Sequence, residues 1–401
     1  MTGLERGWRW LKLRRPAELW LAAVLLLICA AWPLSFALRW YSAEVVSSNG
    51  VRTRPHAEIV NPIVAFLGGA FLAWAAVQQA RTATRRHYAQ VEADRKRRFS
   101  ESYSNAVTQL ASDKTEERLG GIYTLEQISK ESEDDYWTVM ETLTAFIRER
   151  TRRTEAERTS TPFEQRVEER AYFLWQNAGR PEGRSEEFRN EAIRLEKLGE
   201  PPPTDIAAVL TVIDRRNEKD QNRERDKGWR LDFHDAVLRR ADLSGMHLGL
   251  AKFFGAHLED AKLEGAHLEW ANFGGAHLEG ATLQGAHLQG ADLQGAHLQG
   301  ASLFRTHLEG ATLFGTHFEG TSLLGTYLKG ALLYKAHLEG THLKGVSLLG
   351  VHLEGADLRC AIGLKDDQLV EAYGDGNTRL PEYIKNRPAH WPPEAPEESE
   401  A

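Results

Sequence analysis

From Leu231 to Cys360 the sequence repeats every five residues. Cut from Leu231, the stretch gives 26 pentads. The third position is Leu in 22 of them and Phe in four: Phe233, Phe253, Phe273 and Phe318. The first position is Ala in 17, Thr in five and Val in two, and the fifth is Gly in 18. Two apolar positions in a period of five match neither the 3.6 of an amphipathic helix nor the 2.0 of a half-buried strand. A chain that bends at every pentad turns its first and third residues inward each time. The small first residue leaves room for the large third one. Such a unit cannot close a core alone but grows by stacking, which makes a solenoid.

Ala291–Asp292–Leu293–Gln294–Gly295 and its neighbours resemble the pentapeptide-repeat family, with its A(D/N)LXX motif. The resemblance covers about a third of the chain. It implies a right-handed quadrilateral β-helix, in which four pentads close a square coil of 20 residues. The 26 pentads would then make about 6.5 coils, a rod of about 31 Å at a strand spacing of ~4.8 Å. Residues 20 apart stack in such a rod. Phe233, Phe253 and Phe273 therefore form an internal aromatic column that Leu293 ends, and Phe318 is a fourth internal ring.

The resemblance extends outside the repeat. Ala106–Val107…Gln109–Leu110, Arg118–Leu119–Gly120–Gly121–Ile122–Tyr123–Thr124–Leu125–Glu126 and Thr204–Asp205–Ile206–Ala207–Ala208 look like segments of membrane-anchored bacterial members. So does the tail, Thr378–Arg379–Leu380–Pro381…Pro388–Ala389–His390–Trp391. Residues 167–195, with Ala171–Tyr172…Trp175 and Gly179–Arg180–Pro181–Glu182–Gly183, are similar to a short uncharacterised domain of bacterial proteins. None of these segments brings a catalytic residue.

Charge is distributed unevenly. Residues 1–100 hold 15 Lys/Arg against 6 Asp/Glu, whereas the whole chain of 401 residues is −7. Two uncharged apolar runs, about 19–38 and 59–77, each approach the ~20 residues that cross a bilayer as a helix. Five basic residues precede the first run, three lie between the runs and seven follow the second. That asymmetry predicts a two-pass membrane hairpin with both termini cytoplasmic, and the resemblance to membrane-anchored bacterial members implies that the membrane is a bacterial inner membrane. A cleaved signal peptide is the alternative for the first run. Ala65, Gly69 and Ala73 give the second run a small-residue face, for its hairpin partner or for a homodimer.

The expected organisation has four parts: a membrane hairpin over 1–80, a cytoplasmic helical connector over 81–230, the β-helix over 231–360, and a cap with a disordered tail over 361–401. Within the connector, Leu119, Ile122, Leu125 and Ile128 share one helical stripe, and so do Val139/Met140, Leu143 and Phe146/Ile147. Thr161–Pro162–Phe163–Glu164 reads as a capping box opening a helix that ends at Gly179. A short helix lies near Asp205–Ile213, and Arg215–Lys227 reads as a solvated linker.

On the rod's surface the departure from the family pattern is histidine at the second position. His247, His267, His287 and His307 stack on one side, with Tyr327 next. His257, His277, His297, His317 and His337 stack on the opposite side. Imidazole ladders can bind metal or sense pH. A metal site also needs convergent donors and supporting partners, which a flat ladder does not offer. The expectation is no metal and no cofactor, with His tolerated at an outward position. Exposed apolar side chains are the other candidates: Phe314 and Tyr334 on one side, Phe304 and Leu324 on the side opposite, and Trp270. Contiguous apolar surface would mark a partner site.

Two cysteines, Cys29 and Cys360, exclude a disulfide framework and a cysteine zinc module. No GxxxxGK[ST], HExxH or GxSxG is present, so no catalytic residue is expected. The family includes acidic rods that mimic DNA toward topoisomerases. Here the repeat carries 14 Asp/Glu and 9 Lys/Arg, a weak field without an acidic stripe, and no nucleic-acid partner is expected. The reading is a non-enzymatic scaffold or interaction rod whose partners are the lipid bilayer and an unknown cytoplasmic protein. A sensor using the hairpin or the His ladders is the alternative.

Overall fold

A computed structural model describes residues 45–46, 52–53, 57–180 and 184–392, without the side chains of 45–46, 52–53, 57–67 and 197–198. The chain divides into two compact units, Met1–Arg97 and Arg98–Ala401.

In the first unit, β1 (Val45–Val46) and β2 (Arg52–Thr53) pair antiparallel. A long helix follows, α1 (Ala57–Leu110), whose C-terminal turns belong to the second unit. The expected first membrane helix, 19–38, lies outside the described residues. The second apolar run does not form a helix of its own. It opens α1, which continues without a break through Arg81, Arg85, Arg86 and Lys96. Among the described residues no helix is long and apolar enough to cross a membrane. This overturns the two-pass inner-membrane placement.

The second unit begins with helices. α2 (Thr115–Glu131) packs on α3 (Tyr136–Ser160) and on α6 (Thr204–Asp214). Their stripes Ile122, Leu125, Ile128 and Val139, Met140, Leu143, Ile147 are buried. Gly121 allows the close crossing of α1 and α2, since a Cβ there would lie 2.7 Å from the Ala106 carbonyl oxygen. The Arg118 guanidinium meets the fully buried Asp205 carboxylate at 2.6 Å.

α4 (Phe163–Asn177) and α5 (Ser185–Leu198) pack on each other. The expected capping box at Thr161 does not form. Pro162 is the N-cap residue, and it has no side chain to donate to or accept from the first turn. Arg166 instead reaches back to the Thr161 carbonyl.

The stretch expected as a solvated linker contains a helix, α7 (Glu218–Lys227). Asn217 caps it by accepting from the Asp220 amide, and Gly228 ends it at φ +69°. Glu224 is held inside by Arg216 at 2.6 Å and by the Tyr136 hydroxyl at 2.5 Å. Burial and that carboxylate push the Tyr136 phenol far above its usual value.

The rod follows. Second-position residues 20 apart form parallel single-residue bridges, Asp232 with Lys252, Lys252 with Asn272 and so on. Each coil is therefore 20 residues, and its contacts to the next are single bridges instead of continuous strands. At each corner the first-position amide donates to the third-position carbonyl three residues back, as Ala276 does to Phe273 at 2.9 Å. The fifth position lies at positive φ, which a turn of this kind demands and which favours glycine. Eight corners lack glycine, and all eight adopt it anyway: Asp235, Arg240, Leu250, Asp260, Trp270, Arg305, Lys335 and Cys360, with φ between 52° and 65°. A non-glycine residue there costs about 1–2 kcal/mol. Arg240→Gly is expected to raise the unfolding free energy by about 0.5–1 kcal/mol after the entropy of the added glycine is subtracted. Urea denaturation checks this, and an unchanged or lower midpoint would contradict it.

First and third positions fill the interior. Phe253 and Phe273 stack at 4.8 Å, with Phe233 at 4.9 Å beyond Phe253, and Phe318 is fully buried. Where threonine replaces alanine, its hydroxyl donates to a third-position carbonyl of the preceding coil, as Thr306 does to Leu283 at 2.6 Å. The buried hydroxyl is thereby satisfied.

Both ends of the rod are covered, as exposed bridging edges require. At the first coil, Thr151 of α3 accepts from the Val237 amide and Arg148 donates to the Asp232 carbonyl. At the last, residues 361–380 add an irregular coil that includes α8 (Asp366–Leu369), bridged through Ile362, Tyr373 and Arg379. Trp391 is buried and donates to the Ala372 carbonyl at 2.9 Å. Order thus extends past Pro388, where disorder was expected; residues 393–401 lie outside the described part.

Asp357 anchors this end. Burial pushes its carboxyl up, but the Arg359 guanidinium and amide and the Arg379 guanidinium outweigh that and hold it at about 2. A depressed folded value stabilises above the unfolded value, near 4, and the gain is lost as pH falls from 4 toward 2. The contribution is about 1–2 kcal/mol, allowing for solvent around the arginines. Asp357→Asn should lower stability at pH 7 by that amount and flatten the acid limb between pH 4 and 2. An unchanged acid limb would refute the assignment.

Candidate functional site on the rod surface

The outward second and fourth positions carry the chemistry. In the ladder His247, His267, His287 and His307, successive rings lie 4.4–5.0 Å apart, and Tyr327 continues it at 4.5 Å. In the ladder His257, His277, His297, His317 and His337 the separations run from 4.4 to 4.9 Å, with planes within 4° of parallel. The 20-residue coil imposes this spacing, since each ring hangs from a bridged residue.

A second row runs beside each ladder. Second and fourth positions of one pentad point the same way, so the glutamate of Ala-His-Leu-Glu-Gly flanks its own histidine. His257 Nδ1 lies 3.1 Å from Glu259, His277 3.2 Å from Glu279, and His317 3.0 Å from Glu319. His267 with Glu269, His307 with Glu309 and His352 with Glu354 repeat the pairing at 3.0–3.4 Å. The sequence reading missed these carboxylates. Their signal was present in the repeated His-x-Glu, read at the strand period of two.

The second carboxylate oxygens of Glu259, Glu279, Glu309, Glu319, Glu339 and Glu354 are buried and have no hydrogen-bond partner. Burial raises the Glu259 carboxyl, but His257, the backbone and Arg239 outweigh it, so the group sits below its usual value. Burial, and then the neighbouring rings His277 and His317, lower the His297 imidazole. Burial, His267 and Arg216 do the same to His247.

The apolar candidates occupy the other two sides. Phe304 is 43% exposed and Leu324 39%, 20 residues apart on one side. Phe314 is 39% exposed on the opposite side, with the half-buried Tyr334 one coil on. Cations lie over both rows, Arg305 on Phe304 at 5.1 Å and Lys335 on Phe314 at 5.7 Å. Phe314 and Tyr334 border a groove of about 650 Å³ that His337, Glu354, Asp375 and Arg379 complete. Trp270, 67% exposed, lies across Gly290, where a Cβ would meet its ring at 2.7 Å. Phe254, 60% exposed and lying over Gly274, is a comparable residue that the sequence reading passed over. Its fourth position in Ala-Lys-Phe-Phe-Gly was the available signal.

The family model for pentapeptide repeats matches eight copies, between residues 232 and 359. Residues 232–359 are a pentapeptide-repeat solenoid. A second family model, described as a protein of unknown function (DUF2934), matches 162–195, the α4–α5 pair. No curated relative matches this chain. Among solved structures, a pentapeptide-repeat protein from the thylakoid lumen of Arabidopsis thaliana is 34% identical over 27% of this chain and 64% of its own, with a TM-score of 0.19. One from the cyanobacterium Cyanothece is 41% identical over 23% of this chain and 58% of its own, with a TM-score of 0.19. HetL, a pentapeptide-repeat protein involved in heterocyst differentiation regulation from the cyanobacterium Nostoc, is 24% identical over 42% of this chain and 92% of its own, with a TM-score of 0.16. This chain thus covers less than two thirds of the first two. Assignment to the pentapeptide repeats rests on the 26 pentads and their stacking.

Proposed function

We propose that this pentapeptide-repeat protein is a non-enzymatic interaction rod that docks a partner protein on its outward sides. The observation that carries this reading is the placement of large apolar side chains where polar ones stand in neighbouring coils. Phe304 and Leu324 follow Gln284 on one side. Phe314 and Tyr334 follow Gln294 on the other. A third-position residue must be apolar to fill the core, but nothing in the coil requires phenylalanine at a fourth position. An exposed aromatic contributes to binding only when a partner covers it. The filled interior supports a role of the surface: Leu263, Leu283, Leu303 and their equivalents are 0–1% exposed, leaving no cleft between them for a substrate.

A photo-crosslinking amino acid placed at Phe304 or at Phe314 in the native host tests the reading, with Gln284 and Gln294 as control positions on the same two sides. A discrete adduct at one apolar position and not at its control is the expected result. Equal adducts at the controls, or none at any position, would dismiss a docking surface there.

A further inference from the structure

We propose that His317, Glu319 and His337 form a binding site for a divalent transition-metal ion of the zinc class, and that His267, Glu269 and His287 form a second on the opposite side of the rod. In each trio the three donor atoms lie within 4.8 Å of one another. Each trio takes a histidine and a glutamate from one coil and a histidine from the next, so a bound ion would clip two coils together.

The carboxylate answers what a bare ladder lacks. Glu319 lies 3.0 Å from His317 Nδ1. With the ring proton on Nε2, His317 Nδ1 carries its lone pair beside that carboxylate oxygen, so the nitrogen and the carboxylate converge as two donors of one site. The other oxygen of Glu319 is buried without a partner, and among the described residues no lysine or arginine pairs with it. Elsewhere in this row a guanidinium stands at the same position: Arg239 pairs with Glu259 at 3.1 Å, and Arg359 ends the row beyond Glu339. The middle of the row has carboxylates without a fixed cation, and a metal ion would supply one.

The geometry is close to closing. Tetrahedral zinc with bonds of about 2.0–2.1 Å places its donors about 3.3 Å apart. The trio must therefore contract by at most about 1.5 Å. His317 and His337 already have ring centroids 4.4 Å apart, and their side chains, 29% and 44% exposed, have room to tilt. Two imidazoles and one carboxylate, with water in the fourth position, suit zinc, cobalt or nickel and do not suit the all-oxygen preference of magnesium or calcium. Other rungs are poorer. His287 and His297 have Gln289 and Gln299 in place of glutamate, and His307 is followed by Tyr327.

The test is calorimetric titration of zinc chloride into the untagged full chain with Cys29 and Cys360 changed to serine, and magnesium chloride as control. Two zinc ions per chain and no magnesium heat are expected. The pair His317→Asn and His337→Asn should reduce this to one ion. Asn272 already occupies a second position in the rod, so the fold tolerates the change, and circular dichroism verifies it. Glu319→Gln removes the anionic donor and should weaken that site by more than the roughly 10–100-fold that loss of an outer-shell partner costs. Zinc should also raise the melting temperature of the parent chain by mass action, and less so in the double variant. A zinc count unaltered by the double variant, or no zinc heat in the parent chain, would overturn the proposal.

Discussion

Truncating Phe253 to alanine is expected to lower stability by about 3–5 kcal/mol, near the top of the range for a buried aromatic. Phe253 is fully buried and is the middle ring of the column, with Phe233 at 4.9 Å and Phe273 at 4.8 Å. Both neighbours hang from bridged coils and cannot move in to fill the space. The cavity therefore persists, and persistent cavities are the expensive ones. Phe253→Leu should cost far less, because leucine holds this position from Leu293 onward. In a solenoid each coil contacts only its neighbours, so the damage should stay local. Hydrogen exchange should show amides of 231–253 losing protection in Phe253→Ala while those of 311–355 keep it. Uniform loss along the rod would contradict a nearest-neighbour solenoid, and a change below about 1 kcal/mol would contradict the tight column.

The column was legible because a period of five, once tied to a 20-residue coil, assigns every residue to a side and a depth. The same arithmetic placed both histidine ladders and the rows at Phe304/Leu324 and Phe314/Tyr334. It could also have marked the strained corners, since Leu250 and Trp270 stand at the fifth position that glycine holds in 18 pentads. It could have revealed the carboxylates beside the histidines, which needed only the strand period applied inside the pentad. The helix Glu218–Lys227 escaped for another reason. It has no apolar periodicity, and it is held by Asn217, Gly228 and the burial of Glu224 against Tyr136, a contact across 88 residues. The membrane reading failed because hydropathy and flanking charge describe a segment in isolation. In the structure that segment is the opening of a 54-residue helix that carries on through charged residues.

Asp205→Ala should cost about 3–5 kcal/mol, the penalty for leaving a buried charge without its partner. Asp205 is fully buried, its carboxylate meets Arg118 at 2.6 Å, and Arg150 stands 3.4 Å away. Without it the Arg118 guanidinium, itself only 5% exposed, keeps Thr115 and the Ser112 carbonyl but loses its counter-charge. The pair joins two helical segments outside the repeat, Arg118–Glu126 and Thr204–Ala208, and Gly121 brings a third, around Ala106, into contact. The three are thus one helical unit and not separate motifs. Replacing both charges should cost less than the single change, because the desolvation penalty disappears with them. The cycle Asp205→Leu, Arg118→Met and the double variant, followed by urea denaturation, measures this coupling. The loss should also reach the rod. Arg216, just after α6, donates to the His247 carbonyl, so loosening α6 uncovers the first coils. Exchange protection at 231–250 should fall in Asp205→Ala. Strict additivity in the cycle, with the first coils unaffected, would mean that the ion pair neither holds the helical unit nor couples it to the solenoid.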